Sequence, residues 1–239
     1  MDPRQAPGVY AGAANVIAAV MLLIEFGMLR QALARDQVRL YAAQSALISV
    51  LAVVIAADRN LPDLYALAAL SAGLKVVAVP LVLRRLLART GGDEEEPLGA
   101  GEEPLGVAGS HTLSPASAVL AGIVLAAFGF FSFGALGLRG PDPTPAPDTA
   151  LAIAGAMVLV AFGLMIVRRD VASQAIGFFS LENAISLAAL VVAAGLPLIL
   201  ATAFLFDLLV AVVVFAMLIR AHHSRAESLS TADLTRLRG

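Results

Sequence analysis

The residues of this sequence that could do chemistry are polar side chains inside long apolar runs. The run "FFSLENAISLAALVVAAG", residues 178–195, is long enough to cross a bilayer, yet it carries Glu182 and Asn183. Lys75 and Asp207 also lie well inside apolar runs. A charged group in the hydrocarbon costs about 2.5–3.5 kcal/mol on insertion scales, so such residues are rare and commonly functional. A carboxylate–lysine series of this kind is typical of proton relays.

Two other interpretations concern the polar residues of these runs. Lys75, Glu182 and Asp207 could instead form buried ion pairs that hold a helix bundle together. Glu25 lies five residues before Arg30, a position that favours snorkelling or an interface contact over a functional role. The Gln44 amide does not titrate, which favours a packing hydrogen bond. We therefore treat Glu25 and Gln44 as auxiliary candidates only.

The composition indicates an integral membrane protein and excludes several kinds of site. The 239 residues are 59% hydrophobic and only 14% charged, whereas a soluble domain is about 45–50% apolar and about 25% charged. Cysteine is absent, so no disulfide, thiolate metal site or Fe–S ligand is available. No phosphate-binding loop, nucleophile triad or metal-ligand cluster occurs. The sequence therefore predicts no catalytic site of its own, no cofactor, no metal and no nucleic-acid partner.

The elements that must position the polar residues are membrane helices. A bilayer core of about 30 Å needs roughly 20 apolar residues per helix. Seven stretches approach that length, at about 9–29, 38–57, 62–83, 115–138, 150–167, 174–195 and 196–219. Gly195 and Pro197 predict a tight turn between the last two. The fold class expected is an all-α polytopic membrane protein.

The basic residues predict the orientation of these helices. With the N-terminus outside, twelve arginines fall on the cytoplasmic side and three fall outside. This bias predicts a bacterial or archaeal cytoplasmic membrane, with the C-terminus in the cytoplasm. On that basis Lys75 and Glu182 lie about 12–14 Å from the cytoplasmic surface and Asp207 about 20 Å from it.

The sequence also contains an internal repeat with a shift of 138 residues. The shift superimposes Tyr41 on Phe179, Gln44 on Glu182 and Ser45 on Asn183, and after a six-residue gap it brings Lys75 opposite Asp207. Three spans per repeat would invert the second copy, so the fourth span restores a parallel orientation. The predicted organisation is a first three-helix repeat at 1–87, an acidic cytoplasmic loop at 88–114, a linking helix at 115–138, a second repeat at 150–220 and a cytoplasmic tail at 221–239.

The neighbours of the charged residues predict contacts between helices. Glu182 shares a helix face with Ser186 and Ala189, and small residues let helices approach closely. Pro80 removes the hydrogen bond to the Val76 carbonyl, one turn from Lys75, which predicts a local break in the third span.

Four segments resemble the hydrogenase-4 component E family. They are "LYAAQS" at 40–45, "SAGLKVVAVPLVL" at 71–83, "IGFFSLEN" at 176–183 and "DLTRLRG" at 233–239. These proteins are membrane subunits of multi-subunit nickel–iron hydrogenases of the formate hydrogenlyase type. The family is similar in turn to the small K subunit of respiratory complex I and to the C subunit of cation/proton antiporter complexes, whose second and third helices each carry one Glu.

The resemblance implies a role and partners. Glu182 matches the second-helix Glu and Asp207 stands where the third-helix acid belongs, whereas Gln44 and Lys75 occupy the corresponding positions of the first repeat. The resemblance implies a non-catalytic subunit that contributes to proton or cation translocation coupled to electron transfer. Its partners would be antiporter-like membrane subunits and peripheral nickel–iron and Fe–S subunits. The alternatives are an assembly scaffold, a subunit of a cation/proton antiporter complex and a stand-alone transporter.

Overall fold

The described part of the chain is entirely helical. A computed structural model describes residues 9–31, 33–89, 114–136, 148–168, 171–192 and 210. The helices are α1 (Val9–Arg30), α2 (Ala34–Arg59), α3 (Pro62–Ala72), a π-helical segment (Gly73–Ala78), α4 (Val79–Arg89), α5 (Pro115–Ala135), α6 (Asp148–Val167) and α7 (Val171–Val192). α3, the π-helical segment and α4 run on without interruption as one long rod.

This is a multi-pass membrane protein. Six helices in the described ranges are long and apolar enough to cross a bilayer: Ala11–Arg30, Ala34–Asp58, Pro62–Arg85, Ala116–Ala135, Thr149–Val167 and Ser173–Val192. They correspond to the first six of the seven predicted spans, which confirms the membrane class. Apart from Val210, the seventh span, with Asp207 and the tight turn before it, lies outside the described residues, as do most of the acidic loop and the tail.

The second helix starts earlier than its apolar run. Hydropathy predicts a span from about residue 38, but α2 begins at Ala34. Asp36 lies in the first turn, where the helix dipole favours negative charge, and it pairs with Arg39 at 3.1 Å. The charged first turn is therefore helix that extends beyond the apolar run.

The sequence predicted a local break near Pro80, but the third span continues there as π-helix. Pro80 has no N–H for the Val76 carbonyl, and the Val79 N–H reaches back to the Leu74 carbonyl, five residues earlier. The turn that carries Lys75 therefore contains one additional residue. Lys75 is only 1% exposed, so the widened turn faces the interior of the bundle.

α7 is the central helix among those described and α5 is peripheral. In the 18-residue apolar stretch of each helix that could cross the membrane, 72% of the α7 residues are buried but only 22% of the α5 residues. α6 packs between α5 and α7, and α1 and α2 pack together and also contact α6 and α7, respectively. Arg168, immediately after α6, is buried and donates hydrogen bonds to the Leu29 and Gln31 carbonyls at the end of α1. It thereby fastens two helices through carbonyls that a helix leaves unpaired.

Candidate functional site

A layer of buried polar side chains crosses the middle of this bundle. We call it the polar layer, and its eight members come from α1, α2, the π-helical segment and α7: Glu25, Gln44, Ser45, Lys75, Ser180, Glu182, Asn183 and Ser186. Their side chains are connected by hydrogen bonds and one ion pair, and each residue is at most 6% exposed. Most of these buried polar groups bond to one another, which offsets the cost of removing them from water.

Apolar side chains lie on both sides of the polar layer. On α1, Glu25 lies between Met21 and Met28, which belong to two different apolar clusters. On α2, Tyr41 belongs to one cluster and Ile48 to the other, with the polar residues between them. The polar layer is thus separated from both ends of the described bundle by packed hydrocarbon, which lowers the local dielectric and strengthens its electrostatic contacts.

Lys75 is the cation of the polar layer. Its Nζ lies 3.4 Å from Glu182 Oε1, 3.4 Å from Ser186 Oγ and 3.5 Å from Asn183 Oδ1. Glu182 and Ser186 are one helical turn apart on α7, so both reach the same face of the third span. Asn183 and Ser186 accept hydrogen bonds from the ammonium, and Glu182 pairs with its charge. The predicted charged pair therefore forms between two helices distant in sequence.

Asn183 extends the contacts of Lys75 towards α2. Its Nδ2 donates to Gln44 Oε1 and to Ser45 Oγ, both at 3.0 Å. The Gln44 Nε2 in turn donates to the Met21 carbonyl of α1 at 3.4 Å. Gln44 therefore makes packing hydrogen bonds to two neighbouring helices.

Ser180 extends the polar layer to a second carboxyl group. It lies three residues before Asn183, on the same face of α7. Its Oγ is 3.1 Å from Gln44 Oε1 and 3.0 Å from Glu25 Oε1. Sequence reasoning did not single out Ser180; the signal was the spacing Ser180, Asn183, Ser186 within an apolar helix.

Of the two alternatives for Glu25, the structure excludes snorkelling and shows a contact between helices. Glu25 is completely buried rather than snorkelling, because the pitch of α1 directs it towards α2 and α7. Lys75, Glu182, Gln44 and Glu25 therefore belong to one connected set. Asp207 lies outside the described residues.

The polar layer contains groups that can exchange protons. Among the residues that the structure describes, no group of three His, Cys, Asp or Glu side chains could hold a metal ion. A lysine beside a carboxyl group, with a hydroxyl and an amide in contact, can hold a proton on either member and pass it between them.

Comparison with known proteins gives no match. No family model, no curated protein and no solved structure is similar to this chain.

Proposed function

We propose that this protein is a non-catalytic membrane subunit of a hydrogenase-type or complex I-like oxidoreductase, in which it contributes to proton or cation translocation coupled to electron transfer. The observation that carries the proposal is the ion pair between Lys75 and Glu182, buried in the middle of membrane-spanning helices. An intramembrane ion pair is costly to insert. Its retention inside a larger hydrogen-bonded layer supports a role in handling charge, with Asp207 continuing the relay.

We also propose that the chain is built from two parallel copies of a three-helix unit. Two pairs of equivalent residues support this, because each pair is in direct contact. The Tyr41 and Phe179 rings have centroids 5.4 Å apart, and Ser45 Oγ accepts from Asn183 Nδ2 at 3.0 Å. Where a residue contacts its own equivalent in the other copy, the two lie next to the axis of a two-fold interface. Two such contacts four residues apart require that axis to run along α2 and α7, with both helices pointing the same way.

A scaffold function is the second candidate, and the sealing of the polar layer favours it. Apolar clusters on both sides leave the described polar layer without a visible path to water. In that case the ion pair would serve only to specify which helices pack together.

Replacing Glu182 by Gln separates the two functions. The amide retains the size and most hydrogen bonding of the side chain but cannot release a proton. If the relay operates, native membranes with the Glu182→Gln variant retain an assembled complex, while proton uptake or release per electron transferred falls by roughly 100-fold. Proton movement would be followed with a pH-sensitive dye and electron transfer with an artificial acceptor.

The matched control is Asp63→Asn, which removes an exposed carboxylate from the first turn of α3. It should leave both measurements unchanged. Full coupled turnover in Glu182→Gln would reject the relay and favour the scaffold. Failure of the tagged full-length chain to co-purify any redox subunit from native membranes would reject the oxidoreductase complex itself.

A further inference from the structure

The orientation of two side-chain amides in the polar layer is dictated by Lys75. A lysine ammonium only donates hydrogen bonds, so the Asn183 atom that faces it must be the oxygen. The Asn183 nitrogen then points at Gln44, and the Gln44 atom that receives it must also be an oxygen. The cation of the third span thereby determines which atom Gln44 presents to Ser180.

The bonds around Ser180 then require a hydrogen from Glu25. Ser180 Oγ is within bonding distance of both Gln44 Oε1 and Glu25 Oε1. A hydroxyl has one hydrogen and can donate to only one of them. Gln44 Oε1 carries no hydrogen. Both bonds therefore form together only if Glu25 is protonated and donates to Ser180, while Ser180 donates to Gln44.

The surroundings of Glu25 also disfavour its ionised form. Glu25 is completely buried, and within the described ranges its Oε2 has no hydrogen-bond partner and no cation pairs with it. An isolated ionised carboxylate in such a place is very costly. The described titratable and charged groups on the helices packed against α1 lie elsewhere or have other contacts. Glu182 is paired with Lys75, Arg168 binds the end of α1, Tyr41 stacks on Phe179, Asp36 pairs with Arg39, and Arg35 and Asp58 are exposed. The described part of α5 has none.

We propose that Glu25 is a second proton-binding site, protonated at neutral pH and connected to the Lys75–Glu182 ion pair through Asn183, Gln44 and Ser180. The connection gives the two sites a defined coupling. When Lys75 donates to Asn183, the bonds from Lys75 and the bonds from Glu25 both run towards Gln44 Oε1, so Ser180 donates to Gln44 and Glu25 keeps its proton. If the Lys75 ammonium moves away from Asn183, the side-chain amides of Asn183 and Gln44 are free to invert. Ser180 can then donate its hydrogen to Glu25, and the ionised form of Glu25 gains a hydrogen bond. This inference concerns the chain alone and does not depend on the proposed oxidoreductase partners.

Infrared spectroscopy of the full chain in lipid vesicles at neutral pH tests the proposal. A protonated carboxyl group has a C=O band that ionised carboxylates lack, and glutamate labelled with ¹³C distinguishes it from lipid esters and aspartate. We expect such a band in the unsubstituted protein, its loss in Glu25→Gln, and its retention in Glu182→Gln. Ser180→Ala should retain the band but move it to higher wavenumber, because the carboxyl group loses a hydrogen bond.

Each outcome decides for or against the proposal. A band lost in Glu25→Gln and shifted in Ser180→Ala supports it. Absence of the band from the unsubstituted protein, or a band that Glu25→Gln leaves intact, would overturn it. Should Glu25→Gln fail to insert, the Ser180→Ala spectrum decides, since an unshifted band places the protonated carboxyl elsewhere. A Lys75→Met variant tests the coupling between the two sites. An unchanged Glu25 band in this variant would contradict the proposed connection between Glu25 and the ion pair.

Discussion

At the scale of single residues, Asn183 is the junction of the polar layer. Its oxygen accepts from Lys75, and its nitrogen donates to Gln44 and Ser45. A serine at this position would be too short to reach both sides, and an aspartate would offer no donor. Asn183 is thus the residue through which the charge of one span influences hydrogen bonding between two others.

The ion pair should be expensive to break from one side. In Lys75→Met, Glu182 remains buried without its cation, which should cost about 3–5 kcal/mol of stability. The double variant Lys75→Met with Glu182→Gln should recover a substantial part of that loss, because no charge is left unpaired. Unfolding in mixed detergent micelles would measure both, with Arg84→Met on the exposed face of α4 as the control. Equal losses in the single and double variants would contradict the coupling.

Sequence reasoning singled out Lys75, Glu182, Asn183 and Gln44, but it did not predict that Ser180 and Ser45 belong to the same polar layer. Lys75 and Glu182 are recognisable because a charge inside an apolar run is costly and is rarely retained without a partner or a function. Ser180 and Ser45 are not, since a serine in a membrane helix commonly bonds its own backbone, as Ser49 does to the Ser45 carbonyl. The sequence left snorkelling and an interface contact open for Glu25, because its direction depends on how α1 is rotated against α7, which sequence spacing alone does not fix.

At the scale of elements, the π-helical segment sets the position of Lys75. The additional residue in the turn rotates everything after it by about 100° relative to a continuous α-helix. Lys75 lies within this segment, so its side chain meets α7 only while the segment retains its form. The conformation of Gly73–Ala78 is therefore a determinant of the ion pair.

Pro80→Ala should remove the ion pair without touching either partner. Alanine restores the N–H that the Val76 carbonyl lacks, which favours ordinary α-helix over π-helix. We expect the interaction energy between Lys75 and Glu182, measured by a double-mutant cycle, to fall from at least about 1 kcal/mol to near zero in the Pro80→Ala background. Pro62→Ala, at the first turn of α3, should leave it unchanged. An undiminished interaction energy would show that the ion pair does not depend on the π-helical segment.

The sequence predicted where the third span is irregular but not the form of the irregularity. A missing N–H at Pro80 predicted the place of the irregularity, because the constraint is local. Its form as π-helix depends on the surrounding helices that accommodate the wider turn. Similarly, hydropathy located the apolar part of α2 but not its charged first turn.

At the scale of the whole molecule, parallel packing of the two repeats can be tested directly. Since the chain has no cysteine, the pair Ser45→Cys with Asn183→Cys should be joined efficiently by a short bifunctional thiol reagent in membranes. Ser45→Cys with Ser173→Cys is the matched control, because ten residues of helix separate the two α7 positions by about 15 Å. Cross-linking of the control pair at an equal rate would contradict the parallel register. Mass change after proteolysis gives the measurement.

The membrane class and the spans follow from composition and run length, since the bilayer imposes both. The packing of the spans against one another does not follow from composition and run length. Lipid-facing and helix-facing apolar surfaces have similar compositions here, so the apolar residues alone do not say which neighbours each helix packs against.

The partners of the polar layer also have consequences for how the protein is made. Lys75 precedes Asn183 by 108 residues, so at usual synthesis rates it waits roughly 5–20 s before α7 emerges from the ribosome. During that interval the third span carries the Lys75 cation before α7 can pair with it, which disfavours its release into lipid by about 2.5–3.5 kcal/mol. We expect the early spans to stay beside the insertion machinery until α7 is inserted. Membrane insertion and bundle assembly would then be one process in this protein rather than two successive ones.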